Sequence, residues 1–331
     1  MKDRVKVLIT GGAGFIGYHL ANKLSNYPNY QIVIVDSFKR GRMDDELIKL
    51  QQKENVLVLN GDLTSDQFYE SLGLDFDYIY HLAAIIGVRN VTNHPDQVLG
   101  INALSILKLF EHFKESKHIK KVFFSSTSEI YAGTLHHFEM SIPTPENTPL
   151  TLLDIESSRT TYMLSKMFGE SVCFNYSKKY GIPCAIGRYH NVYGPRMGFQ
   201  HVIPEMIVKI NKSTNLGVAS SNHTRAYCYI DDAIDMTILL TEKTKPGCDV
   251  YNIGVQGPEI KVLDLVKLIA KTMKKEIIIA EKEDIAGSPN RRCPDMRKLN
   301  DCIVFQPNFT LDTGLRITYD WYKKHLDNVY E

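Results

Sequence analysis

Tyr162 and Lys166 stand four residues apart in Thr160-Thr161-Tyr162-Met163-Leu164-Ser165-Lys166. The run on to Gly181 carries apolar residues at helical spacing and has no proline, so the spacing predicts a helix. Residues four apart on a helix share a face, which places an ammonium beside a phenol. A free tyrosine titrates near pH ~10 and is a poor base at neutrality. A neighbouring cation favours the phenolate and draws the phenol toward working pH. Such a pair suits removing a proton from a sugar or alcohol hydroxyl while hydride leaves the same carbon. The same spacing also fits an amphipathic helix with one buried aromatic and one surface lysine. The rest of the chain decides between the two.

The scaffold for that pair begins at the N-terminus. Val5 to Ile9 reads as a strand, followed by Thr10-Gly11-Gly12-Ala13-Gly14-Phe15-Ile16-Gly17 and a helix from about Phe15 to Leu24. In a strand–loop–helix context Gly11 permits the tight turn, Gly14 admits a pyrophosphate at the helix N-terminus, and Gly17 lets helix and strand pack closely. The next strand, Gln31 to Val35, ends in Asp36, a carboxylate suited to both adenosine ribose hydroxyls and repulsive to a 2′-phosphate. This favours NAD over NADP, although Lys39 and Arg40 pull the other way.

A third strand, Val56 to Leu59, leads to Asp62, which either bonds the adenine amine or caps the next helix. A fourth runs from Tyr78 into His81-Leu82-Ala83-Ala84, small residues where a cofactor lies against backbone, with His81 read as a packing residue. Helices at about Pro95–Ser116 and Tyr162–Tyr180 flank a fifth strand, Lys121 to Ser125, and Ala185 to Tyr189 forms a sixth. This alternation predicts an α/β fold, a doubly wound parallel (Rossmann) sheet with ligands at the carboxyl ends of its strands.

The fifth strand opens into Ser125-Ser126-Thr127-Ser128-Glu129-Ile130-Tyr131-Ala132. Its hydroxyls and carboxylate suit binding a substrate and moving a proton; the alternative is a plain polar turn. A proline-containing loop is expected from Gly133 to Arg159. His136 and His137 lie in it without a ligand cluster, so no metal site is expected. The dinucleotide-binding domain is assigned to 1–190, with the chain returning to it around 229–255, and a smaller substrate domain to 191–331. In the latter His201–Pro204 starts a helix, Thr224 to Tyr229 alternates like a strand, and Asp231-Asp232 caps a further helix. Val250–Ile253 reads as a strand and Leu263–Met273 as an amphipathic helix. Arg225 and Arg292 are candidate diphosphate ligands, because guanidinium matches phosphate oxygens bidentately.

Composition narrows the class. The chain has 331 residues with Lys+Arg 39 against Asp+Glu 38, a net charge of +1, so nothing points to a nucleic-acid or membrane surface. Cys173, Cys184, Cys228, Cys248, Cys293 and Cys302 are scattered without a Cys-x-x-Cys pair. Free thiols and the lack of a long apolar run predict a cytoplasmic protein.

Together, Thr10 to Gly17, His81 to Ala84, Ser126 to Tyr131, Tyr162 with Lys166, Arg188 to Arg196 and Arg225 to Asp232 resemble the extended short-chain dehydrogenase/reductases acting on nucleotide sugars. This is the NAD-dependent epimerase/dehydratase family. The stretches come in the family's order and cover nearly the whole chain. The resemblance implies NAD held by Gly11, Gly14, Phe15, Ile16, Asp36, Asp62, Leu63, Leu82, Ala83, Ala84 and Ser125, with Tyr162 and Lys166 at its nicotinamide end. It implies Tyr162 as base, Thr127 as the hydroxyl on the reacting oxygen, and Ser128 and Glu129 beside them. Arg89, Asn191, Arg225 and Arg292 would contact a nucleotide-diphosphate sugar. A homodimer through the helices near Leu104–Phe113 and Tyr162–Tyr176 is also implied.

The family's first step is oxidation of sugar C4 to a ketone. Thr127-Ser128-Glu129 and Asn290-Arg291-Arg292-Cys293-Pro294-Asp295 resemble the UDP-glucuronate decarboxylases, the leading expectation. Two features depart from them: Ala132 replaces the usual glycine, and the Gly133–Arg159 loop differs. Ile85-Ile86-Gly87-Val88-Arg89 looks more like the uronate 4-epimerases, and GDP-mannose 4,6-dehydratases share the Thr-Ser-Glu triplet, whereas dTDP-glucose 4,6-dehydratases carry an aspartate where this chain has Ser128. A dinucleotide-binding sensor or scaffold is the non-enzymatic alternative, and such proteins usually lack the intact tyrosine–lysine pair.

Overall fold

The computed structural model describes residues 4–243, 245–284 and 289–326, without the side chain of residue 88. The β-branched runs form strands where expected: β1 Val5–Thr10, β2 Tyr30–Asp36, β3 Val56–Asn60, β4 Tyr78–His81, β5 Lys121–Thr127 and β6 Cys184–Tyr189. Between them lie α1 Phe15–Leu24, α2 Asp45–Gln51, α3 Asp66–Ser71, α4 Val88–Asn93, α5 Pro95–Phe113, α6 Ala132–His137 and α7 Thr160–Tyr180. The chain continues through β7 Val192–Tyr193, α8 Val202–Lys212, β8 Asn215–Ala219, β9 Thr224–Arg225, β10 Cys228–Tyr229, α9 Ile230–Lys243 and β11 Cys248–Ile253. It closes with β12 Ile260–Lys261, α10 Val262–Thr272, β13 Ile278–Lys282, β14 Arg291–Arg292, α11 Arg297–Cys302 and α12 Leu311–Lys323.

Seven strands make the main sheet in the order β11-β6-β5-β4-β1-β2-β3. The pairs β1–β2, β1–β4, β2–β3 and β4–β5 run parallel, and the order reverses at β1, as in a doubly wound sheet. Leu8, Val33, Val35, Ile79, Phe110, Phe113, Val122, Phe124 and Ile186 pack into one apolar cluster of sheet and helix residues. Burying that surface is the main favourable term in holding strand and helix layers together.

The chain divides into two compact units. The first comprises Met1–Ile130, Asp154–Arg188 and Met236–Tyr251, and the second Tyr131–Leu153, Tyr189–Asp235 and Asn252–Glu331. The division differs from a simple boundary at 190, because Tyr131–Leu153 belongs with the second unit. The reason is a backbone seam far along the chain: Thr144 N donates to the Cys293 carbonyl and Asp295 N to the Thr144 carbonyl, each at 2.9 Å. Asn252 strengthens the seam by donating to the Thr144 and Asp295 carbonyls and accepting from Tyr131 and His190. Of the expected second domain, 285–288 and 327–331 lie outside the described residues.

Four further expectations change. The Gly133–Arg159 loop is helical at its start, through α6. The strand expected over Thr224–Tyr229 splits into β9, which pairs with β12 and β14, and β10, which pairs with β7. Asp232 does not cap α9: its carboxylate accepts from Asn308 N and Phe309 N, just before α12. Asp62 does not cap α3 either, because its carboxylate takes Thr64 N and Oγ1 and pairs with Lys39.

Candidate active site

The first unit contains a cradle formed by backbone. Gly11 has φ +72, and a Cβ there would lie 2.6 Å from Ala83 N, so the β1–α1 turn presses on the end of β4 as only glycine allows. A Cβ on Gly17 would fall 2.3 Å from the Gly11 carbonyl oxygen, which explains why helix and turn need glycine at both places. Gly14 is the N-cap of α1, with Phe15 and Ile16 in its first turn. Asp36, at the end of β2, accepts from Ala13 N at 3.0 Å and Phe38 N at 2.9 Å. Burial raises the pKa of its carboxyl. Leu63 is buried, Leu82 N donates to the Thr10 carbonyl, and Ala83 and Ala84 follow at the mouth of β4. These residues fit a dinucleotide: glycine backbone at a helix N-terminus for the diphosphate, and a carboxylate at the second strand for the ribose. Lys39 pairs with the Asp62 carboxylate at 2.9 Å.

At the end of β5, the Thr127 hydroxyl accepts from Glu129 N at 3.2 Å and lies close enough to the Tyr162 phenol to favour its charged form. Ser128 is buried in the 3-10 turn that follows. Tyr162, Lys166, Thr127 and Glu129 are therefore gathered in the first unit. Lys166, expected as a possible surface residue, is buried instead. Its Nζ donates to the Ser125 carbonyl at 2.7 Å and lies 4.9 Å from the Phe124 ring centroid and 5.8 Å from that of Tyr162. Burial lowers its pKa to about 8, against the opposing pull of Cys173 and Glu170.

The phenol departs from the expected downward shift. Desolvation and the Glu129 carboxylate raise it, and Arg40 and the Thr127 hydroxyl oppose them. His81 is a packing residue: its Nδ1 meets Thr10 Oγ1 at 2.9 Å, it stacks on Phe124, and burial lowers its pKa to about 3. Arg89 is exposed on α4. The segment before it is held by Asn102, which accepts from Ile85 N at 2.7 Å and donates to the Ile85 carbonyl and to Ser165 Oγ, each at 3.1 Å.

In the second unit β9 and β14 run parallel in a register that pairs Arg225 with Arg292. Like charges directly opposite are unfavourable in a sheet unless an anion lies between them. The guanidinium of Arg225 is oriented by the Thr224 carbonyl at 2.7 Å. Both arginines act on the phenol of Tyr227, whose pKa burial raises to about 12. Arg291, by contrast, is committed to a bidentate pair with Glu259. Asn191 has φ 42, a left-handed conformation that asparagine tolerates, and its amide donates to the Ala226 carbonyl at 3.1 Å. Sequence reasoning missed Asn102, Glu170 and Tyr227. Each sits in a segment whose periodicity signals only helix or strand, and its role depends on partners distant in the chain. No cluster of metal ligands occurs among the described residues, and no described helix is long and apolar enough to cross a membrane.

Residues 7–254 match the model of the NAD dependent epimerase/dehydratase family. A UDP-N-acetyl-alpha-D-glucosaminuronate decarboxylase of Bacillus cytotoxicus is 30% identical, covering 98% of this chain and 99% of that protein. UDP-glucuronic acid decarboxylase 6 of Arabidopsis thaliana is 26% identical over 98% of this chain and 91% of its own. Among solved structures, UDP-glucuronic acid 4-epimerase from Bacillus cereus, in complex with UDP-glucuronic acid and NAD, superposes with a TM-score of 0.84. It is 29% identical and covers 97% of this chain and 100% of that one. With its glycine cradle, Asp36 and the Thr127–Tyr162–Lys166 group, the chain belongs to the NAD dependent epimerase/dehydratase family and is an enzyme of nucleotide sugars with NAD as cofactor.

Proposed function

We propose that this enzyme decarboxylates a nucleotide-linked hexuronic acid, with UDP-glucuronate as the first substrate to try. The observation that carries the reading is the side-by-side placement of Arg225 and Arg292, a dication suited to a sugar diphosphate in the second unit. The decarboxylases among the relatives support the choice of reaction.

NAD, once bound, would supply the acceptor for the hydride that leaves sugar C4. Residues of this chain handle the proton. Tyr162, steadied by Thr127, takes it from the C4 hydroxyl, and Lys166 holds the ribose end of the cofactor through its ammonium. A C4 ketone makes the C6 carboxylate a β-keto acid, so carbon dioxide leaves without a protein base. Glu129 and Ser128 stand at the strand end to deliver a proton to C5, and at the close Tyr162 would return its proton to the C4 oxygen as the hydride comes back to C4 from the reduced cofactor. Asn191 orients the substrate beside the arginines.

A uronate 4-epimerase is the second reading. The Asn102 clamp fixes the backbone at Ile85, and Arg89 follows four residues later, exposed to meet a carboxylate. Mass spectrometry after incubation with UDP-glucuronate and NAD separates the readings. Loss of carbon dioxide supports decarboxylation, an unchanged mass with a new chromatographic peak means epimerisation, and water loss from a neutral nucleotide hexose means dehydration.

The proposal extends to a homodimer through α5 and α7, which leave Leu104, Phe168 and Phe174 exposed. The six cysteines are free, in keeping with work in a reducing, cytoplasmic setting. Light scattering of Phe168→Glu should give monomer where the native chain gives dimer.

A further inference from the structure

One buried charge pair lies outside the reacting group. Glu170, one turn beyond Lys166 on α7, accepts Nε of Arg188 at 2.9 Å and its Nη2 at 2.7 Å. The same carboxylate accepts the Ser126 hydroxyl at 2.6 Å. Glu170 and Arg188 are each 4% exposed and Ser126 is 3% exposed. Consecutive residues of β5 are thus gripped by consecutive turns of α7: the Ser125 carbonyl by Lys166, and the Ser126 hydroxyl by Glu170. Gly169 makes the approach possible, because a Cβ there would lie 2.2 Å from the Phe124 ring. Arg188 ties the same carboxylate to β6, so α7 and two neighbouring strands meet at one side chain.

Stability alone is a poor reason for such a pair. Desolvating two charges consumes much of their attraction, and apolar replacements of similar volume are often neutral or stabilising. Geometry and charge give a better one. The groups facing Lys166 are Tyr162, Glu170 and Cys173 on its own helix, His81 from β4, and the Phe124 ring and Ser125 carbonyl from β5. His81 is held neutral by burial, and burial raises the Cys173 thiol, so the Glu170 carboxylate is the negative charge among them.

We propose that the Glu170–Arg188 pair is the positioning element of the Tyr162/Lys166 couple. Through Ser126 it seats α7 on β5 so that Tyr162 meets Thr127, and through its charge it keeps the Lys166 ammonium protonated. The inference rests on reading Tyr162 and Lys166 as the proton-handling pair.

The test is a lysine titration by NMR on the NAD-saturated protein, using 13Cε-lysine, with the Lys166 signal identified by its loss in Lys166→Arg. In Glu170→Gln the Lys166 midpoint should fall by about one pH unit, and the alkaline limb of kcat should move down with it. At the native midpoint this gives a kcat loss of about 5-fold with KM within about 2-fold. If Glu170→Gln leaves Arg188 unpaired and the fold fails, Glu170→Gln/Arg188→Met removes both charges and reads the same two quantities. An unmoved Lys166 midpoint, or a kcat profile superimposable on the native one, in a folded variant overturns the proposal. Native protein that turns over no nucleotide sugar would defeat the functional reading instead, and the lysine titration would still decide the inference.

Discussion

Replacing Lys166 with methionine isolates what burying an ammonium costs this fold. The side chain is 4% exposed, and burial moves its pKa from 10.5 to about 8. At ~1.4 kcal/mol per unit, the folded state disfavours the charged lysine by roughly 3 kcal/mol relative to the unfolded chain. Between about 8 and 10.5 the unfolded chain keeps a proton that the folded one has released, so this group makes stability rise with pH across that window. Below the window the penalty is complete, and above it the penalty is gone.

Methionine preserves much of the stem's packing and removes the charge, but leaves the Ser125 carbonyl without its donor, a loss of ~1–3 kcal/mol. At neutral pH the two effects nearly cancel, so the variant should unfold within ~2 kcal/mol of the native protein. The decisive quantity is the difference between the two proteins as a function of pH, which removes the background of other titrating groups. Urea unfolding followed from neutrality to the alkaline end of the window should show the native protein gaining roughly 3 kcal/mol on Lys166→Met. Parallel stability curves would mean that Lys166 is not desolvated as its surroundings indicate.

Tyr162→Phe should lower kcat by ~10²–10⁴-fold while calorimetry shows NAD still bound, because only the proton-handling hydroxyl is removed. Arg292→Gln should raise KM for the nucleotide sugar by ~10-fold or more without lowering the melting temperature, since it also relieves a like-charge neighbour of Arg225. Gly17→Ala should lose NAD affinity and stability together, because the added methyl meets the Gly11 carbonyl and the Gly12 Cα at 2.7 Å, both backbone atoms.

Local pattern made much of the molecule legible. Tyr162 and Lys166 announce themselves by a spacing that a helix converts into one face, and Gly11, Gly14 and Gly17 by a spacing that only a strand–turn–helix uses. Asp36 follows from its place at the end of the second strand. These signals are contained in short stretches, where the backbone periods of helix and strand fix what is neighbour to what. Tertiary structure decided the rest. Lys166 points to the Ser125 carbonyl and a buried carboxylate instead of solvent, because α7 lies on β5. Arg225 stands beside Arg292 only because β9 and β14 pair in register. Tyr131–Leu153 joins the second unit only because Thr144 finds Cys293 and Asp295. Burial, charge environment and strand partnership arise from residues that chain topology brings together from a distance, and a one-dimensional pattern carries no record of which distant segment will supply them.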